Sequence, residues 1–417
     1  GFSRLFPIPM YIDETSVNFN TNNMTLSGAR LHLGKSDLTL SGELSDIRRA
    51  MLRGGKLKAN FELESDLIDC NQLMLAIGKG LQFSDQLASN SVGAFSEDSI
   101  SVLETDHLLA NTVDSVATDS ISQLFVVPKF LDLTLHTNAK KIDFKDLKLE
   151  DVKGEVVIRD QSINLSDLCM SSNIGSGDLT MVYTTKTDQE ATMGFELSLD
   201  DILVERLISL FPDIDTLVPM LRSFEGMVDC QMTATCKADS TMSVLLPSVN
   251  ASCYLSGKNM VLLDGETFTE ISKTLMFKNK KRNMIDSIAV DLAIHDNKIE
   301  VFPFLVEMDR YKVAVGGTHN LDMTFDYHLS VLKSPVPFKL GIDIKGNLDD
   351  FKFKIVKCKY KDFLKPAKQA ELDSTRRNVR EEIRETIRKQ IREAAPELGN
   401  SLSEIHPHTH GHVEEST

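Results

Sequence analysis

Ile288-Ala289-Val290-Asp291-Leu292-Ala293-Ile294-His295-Asp296-Asn297-Lys298-Ile299-Glu300-Val301 is the stretch that decides the fold. Its large apolar residues recur at every second position, the period of a strand with one buried face and not the 3.6 of a helix. Asp296-Asn297 reads as a two-residue hairpin turn, because both residue types tolerate positive φ, and Ile299 and Val301 begin the return strand. After Phe302-Pro303-Phe304 the alternation resumes with Val306 and Met308, turns at Asp309-Arg310, and continues through Tyr311, Val313 and Val315 to Gly316-Gly317. Leu321, Met323, Phe325, Tyr327, Leu329 and Val331 complete the run. Turns this short join neighbouring strands antiparallel, so 288–331 is a meander.

The same period extends upstream. Leu131, Leu133 and Leu135 share one face, as do Leu179, Met181 and Tyr183, and then Met193, Phe195, Leu197 and Leu199. The expected fold is therefore mainly β: an antiparallel sheet with a broad apolar face, a few short helices and a charged C-terminal helix. Helical spacing points to helices at 200–211, stopped by Pro212, near 266–276, and at 44–53. Residues 351–361 alternate lysine with apolar residues and slip phase at Val356, which predicts a β-bulge. The organisation that follows has five parts: a β-rich end of an upstream region (1–77), an acidic Ser/Asp-rich linker (78–126), a β-groove domain (127–361), a charged amphipathic helix (362–395) and a His-rich tail (396–417).

The chain has 417 residues, enough for a large apolar core, and begins Gly1-Phe2-Ser3, which reads as the C-terminal part of a longer protein. It contains neither a membrane-spanning apolar run nor a signal-peptide pattern. The net charge of −15 argues against nucleic acid, which needs a basic footprint. The balance is uneven, however: fourteen basic residues face seven acidic ones between Phe351 and Ala395. The six cysteines, with no CxxC pair, suggest isolated packed thiols.

No nucleophile elbow, phosphate loop, zinc-protease helix or dinucleotide fingerprint occurs. Most acids whose role is legible (Asp160, Asp296, Asp309, Asp349, Asp350) sit at turns, where Asp hydrogen-bonds backbone. The expectation is a protein that is not an enzyme and holds no cofactor or metal. His406, His408, His410 and His412 alternate in a metal-like way, but Pro407 and Gly411 favour a solvated tail over a site.

Three stretches resemble the AsmA/TamB group of Gram-negative envelope proteins, and the chain looks like the C-terminal part of an AsmA-like member. The first is Leu40-Ser-Gly-Glu-Leu-Ser-Asp-Ile-Arg-Arg with Gly54-Gly55-Lys-Leu-Lys-Ala. The second is Val127-Pro-Lys-Phe-Leu-Asp-Leu-Thr-Leu, then Leu147 to Asp160, then Gly175-Ser-Gly-Asp-Leu. The third runs from Ile299-Glu-Val-Phe-Pro-Phe to Tyr311-Lys-Val-Ala-Val-Gly-Gly. The resemblance implies a periplasmic protein held at the inner membrane by an N-terminal anchor outside this sequence, and a role in outer-membrane lipid homeostasis with phospholipid as partner. It implies further that the sheet is an elongated, curved antiparallel β-groove, and it brings no catalytic residues.

On that reading Leu131, Leu133, Leu135, Leu179, Met181, Met193, Phe195, Leu197, Val290, Leu292, Ile294, Val313, Val315, Phe325 and Tyr327 line a groove for acyl chains. Lys352, Lys354, Lys357, Lys359, Lys361, Arg380 and Arg384 offer an anionic-headgroup or partner contact, with edge protection as the other reading of the lysines. At about 0.8 kcal/mol per methylene, a chain of about 16 carbons would gain on the order of 10 kcal/mol before ordering costs. The alternation equally describes a closed core, which would make the protein an envelope assembly scaffold whose charged helix docks a protein partner.

Overall fold

A computed structural model describes residues 7–13, 15–76, 124–144, 147–172, 175–210, 221, 224–262, 283–308, 311–320, 324–334, 339–347 and 350–394. Most of the acidic linker, the expected helix near 266–276 and the His-rich tail lie outside them.

The alternating segments become twenty strands of one open, curved sheet. At one edge β1 (Met10–Ile12) and β2 (Ser16–Phe19) both pair with β3 (Met24–Leu33), which leads to β4 (Ser36–Ser45) and β5 (Leu57–Ser65). Next come β7 (Leu131–Phe144), β8 (Leu147–Arg159), β9 (Ser162–Ser172), β10 (Gly175–Thr184) and β11 (Glu190–Leu203). The sheet continues through β13 (Met227–Asp239), β14 (Asn250–Leu262), β15 (Asn283–His295), β16 (Lys298–Met308) and β17 (Tyr311–Asn320). It closes with β18 (Phe325–Lys333), β19 (Leu340–Gly346) and β20 (Phe351–Val356). Two-residue strands β6 (Ile68–Asp69) and β12 (Phe224–Glu225) add to the ends of β7 and β14. Seventeen rungs at about 4.8 Å each extend roughly 75 Å along the sheet.

The hairpins form as their turn residues dictate. Asp160-Gln161 and Asp296-Asn297 both have positive φ at their two central positions, the geometry that matches strand twist. The antiparallel expectation is corrected at one place: β5 and β7 are parallel, Leu57 facing Leu131. After β5 the chain crosses back before β7 begins, and a parallel pair requires such a long connection.

Two local expectations are also corrected. The segment 200–211 is strand as far as Leu203, because Ile202 and Leu203 pair with Val228 and Met227 across a bulge at Asp201. Only Val204–Leu210 is helix, here α2; α1 is Ile47–Arg53. Pairing on both sides of β11 outweighs helical spacing there. Nor does a bulge carry the C-terminal strand past Val356. The strand ends, and Cys358, Tyr360 and Phe363 turn back to pack on Ala314 and Leu332.

The long helix α3 (Pro366–Ala394) spans about 43 Å at 1.5 Å per residue and lies across the back of the sheet. Ile383, Ile387 and Ile391 bury against Val157 and Val182. Arg376 donates to the carbonyl of Pro303 at 2.8 Å and pairs with Asp291 at 3.2 Å. Gly194 lies beneath it, where a Cβ would come within 3.2 Å of Ile387 and Val182. The charged helix is thus an internal element with its apolar stripe used up on its own sheet.

Candidate functional site

Strand register sorts the side chains into two faces. Leu135, Val156, Leu165, Met181, Phe195 and Ala234 face one another in sequence across β7 to β13. A second row runs from Leu197 through Met232, Cys253, Leu292 and Val301 to Gly317, Tyr327, Ile344 and Phe353. All fifteen residues expected to line a groove fall on this single front face. The helix α3 occupies the other one.

The front face is apolar throughout but not equally enclosed. Leu197, Leu292, Ile294, Val313 and Val315 are buried, and Val290 and Tyr327 pack against them. Phe325 is half-buried beside Tyr327, ring centroids 5.8 Å apart. This C-terminal half closes over α2, whose Val204 and Leu207 are buried within the same cluster. Residues from β13 to β18 converge on a cavity of about 80 Å³, lined by Leu255, Leu292, Phe304 and Tyr327 among others. That is smaller than the roughly 150 Å³ apolar cavity that admits benzene.

The N-terminal half differs. Leu131, Leu133, Leu135 and Leu179 remain half-exposed and pack on no described buried cluster, whereas Met193 and Phe195 pack against the C-terminal cluster and Met181 against Val127 and Tyr183. At one rim Leu73 of the helical turn 70–76 packs with Leu63 and Ile142; at the other Leu124, Phe125 and Val127 pack with Tyr183 and Ile158. Between them Leu133, Leu135, Val156, Leu165 and Leu179 form an apolar strip that belongs to no buried cluster among the described residues.

The basic residues separate as well. Arg380 and Arg384 are committed to Asp291 and Glu196, so they present no free charge. Lys352 and Lys354 stand on the edge strand and help line an open recess of about 420 Å³ with Asp343, Lys345 and Asp350. Lys357, Lys359 and Lys361 follow in the turn, and none of the five lysines pairs with a described acid. Phe353 and Ile355, on the front face of the same strand, are 44% and 63% exposed.

A hydrogen-bonded set that pattern reading missed lies under that turn. His328 Nδ1 donates to Asp343 at 2.5 Å, and Nε2 accepts the Lys359 N–H at 3.1 Å. Ser330 Oγ, 2.9 Å from Nε2, accepts the Tyr360 N–H at 3.0 Å. The constellation has the order of a hydrolase triad, but Ser330 is wholly buried and its oxygen already accepts the Tyr360 N–H. Its geometry anchors the turn that carries the chain onto the back face. The signal available in sequence was His-x-Ser on one strand opposite an Asp.

Burial pushes the Cys236 thiol up to about 11, and hydrogen bonding to Cys230 together with burial raises Cys253. Both therefore stay protonated and pack as small apolar groups. Their neighbour sulfurs Cys230 and Cys253 lie 4.0 Å apart without a bond. Asp291 is also held above the usual carboxylate value, desolvation outweighing Arg376 and Arg380. Among the described residues no three His, Cys, Asp or Glu side chains converge as metal ligands, and no helix is long and apolar enough to cross a membrane. No family model, curated protein or solved structure matches the chain.

Proposed function

We propose that the protein is a non-enzymatic lipid carrier of the Gram-negative envelope, in which the N-terminal half of the front face shelters phospholipid acyl chains. The resemblance to AsmA-like proteins supports a periplasmic location at the inner membrane. The observation that carries the reading is the half-exposed strip from Leu133 to Leu179, which no cluster of the described residues covers, while the longest described helix packs on the opposite face. An apolar strip of this kind calls for an occupant, and acyl chains match its chemistry. The lysines of the far edge, which pair with no described acid, suit a headgroup phosphate.

The test is organic extraction and mass spectrometry of the purified chain beside a Leu133→Asp/Leu135→Asp variant. Stoichiometric phospholipid in the parent, lost from a variant with unchanged circular dichroism, is the expected result; no lipid in the parent defeats the reading. Leu292→Asp is unsuited to this purpose, because Leu292 sits in the closed core. That closed core favours a second reading, an envelope scaffold binding a protein partner, which predicts a lipid-free chain in both preparations.

A further inference from the structure

Phe19, Leu52 and Phe130 are 76%, 72% and 57% exposed, and Phe19 and Leu52 are the most exposed large apolar side chains described. They are far apart in sequence but meet at one rim of the sheet. Ile47, at the start of α1, donates its N–H to the Asn22 carbonyl in the turn that follows Phe19, at 3.1 Å. Leu57, just beyond α1, donates to the Phe130 carbonyl at 2.7 Å. The three apolar side chains therefore project from adjoining elements: the β2–β3 turn, α1 and the entry to β7.

Cations are interleaved with them. Arg48, Arg49 and Lys129 are exposed and pair with no described acid, whereas the nearby Lys58 and Lys56 are paired with Asp46 and Asp160. Three cations with no described acidic partner beside protruding Phe and Leu, on a chain of net charge −15, form a local feature that a solubilising surface would not need. Protein surfaces that lie on bilayers combine these two elements: basic groups that attract anionic headgroups, and apolar groups that enter the acyl boundary.

We infer that this rim, formed by Phe19, α1 and Lys129-Phe130, docks on the surface of an anionic phospholipid bilayer. The position deepens the lipid-carrier reading on which it rests. Phe19 pairs with Met24, which pairs with Leu44, then Ala59 and Leu133, so the front face opens at this rim. Lipid leaving a bilayer held here would meet the half-exposed strip first.

Sedimentation of the full chain with vesicles tests the inference. Phosphatidylcholine vesicles with about 25% phosphatidylglycerol should bind it and pure phosphatidylcholine should not, because the headgroup charge supplies the attraction. Arg48→Ala/Arg49→Ala/Lys129→Ala should weaken binding on the order of a hundredfold, from the roughly tenfold or less that each basic group contributes. Phe19→Ser/Leu52→Ser/Phe130→Ser should remove the part of the binding that survives high salt, since only charge contacts are screened. All six residues are exposed, and circular dichroism checks that each variant is folded. Absence of binding, or binding unaffected by either triple variant, overturns the inference. So does loss on Lys352→Ala/Lys354→Ala instead, which would move the contact to the far edge. Phospholipid content measured on the same preparations reports on the carrier reading separately.

Discussion

Leu133 on β7 and Leu292 on β15 occupy the same face of the same sheet and follow the same alternation, yet Leu292 is 4% exposed and Leu133 is half-exposed. The difference lies in what each half of the sheet encloses. From β13 to β18 the front side chains converge, several strands apart, on one small cavity, and α2 fills the remaining space. From β4 to β10 the described covering elements stand at the rims, and the middle belongs to no cluster of the described residues. Period-two patterning thus yields a core where the sheet closes on a plug and an open strip where it does not. The back face, by contrast, is covered between β8 and β18 by α3 and the turn before it.

The largest effect that separates the halves is expected from a buried charge. Leu292→Asp should destabilise by about 4 kcal/mol or more and abolish the cooperative thermal transition, because an unpaired carboxylate is forced into a closed core. Leu133→Asp should leave that transition in place. Equal tolerance of the two substitutions would erase the distinction between core and strip.

A smaller effect measures the plug itself. Leu207 is completely buried, so Leu207→Ala should cost about 2–5 kcal/mol by urea denaturation, transfer loss and cavity together. Leu165→Ala, half-exposed in the strip, should cost about 1 kcal/mol. A large loss at Leu165 would mean that the strip is packed after all.

The smallest effect concerns the back face. Because desolvation raises the folded-state value of Asp291 above its unfolded one, the folded state binds this proton more tightly. The stability that protonation confers is complete below the unfolded value and is lost as pH rises through the raised folded value. Relative to Asp291→Asn, the parent should therefore lose stability as pH climbs from about 4 in paired urea titrations. The reverse slope would show that Arg376 and Arg380, at 3.2 and 3.4 Å, outweigh burial.

Strand positions and turns were legible in the residues because side-chain direction in a strand has period two and because Asp-Gln or Asp-Asn accepts positive φ. Every proposed face residue lands on one face for the same reason. What misled was short-range spacing with two physical explanations. The run 200–211 has helical periodicity, but sheet pairing claims its first four residues. Tyr360 and Cys358 alternate like a strand, but they lie in a turn fastened by His328 and Ser330.

The sequence by itself determined an alternating mainly β chain, an apolar set on one face and a charged helix at the C-terminus, since these rest on periods and local backbone preference. Tertiary structure alone decided the parallel entry of β7, the docking of α3 on the back, and the pairing of Arg380 and Arg384 with Asp291 and Glu196. It also decided which half of the apolar face is core and which is strip. That choice depends on sheet curvature and on contacts between residues many strands apart, and neither is written in the spacing of neighbours.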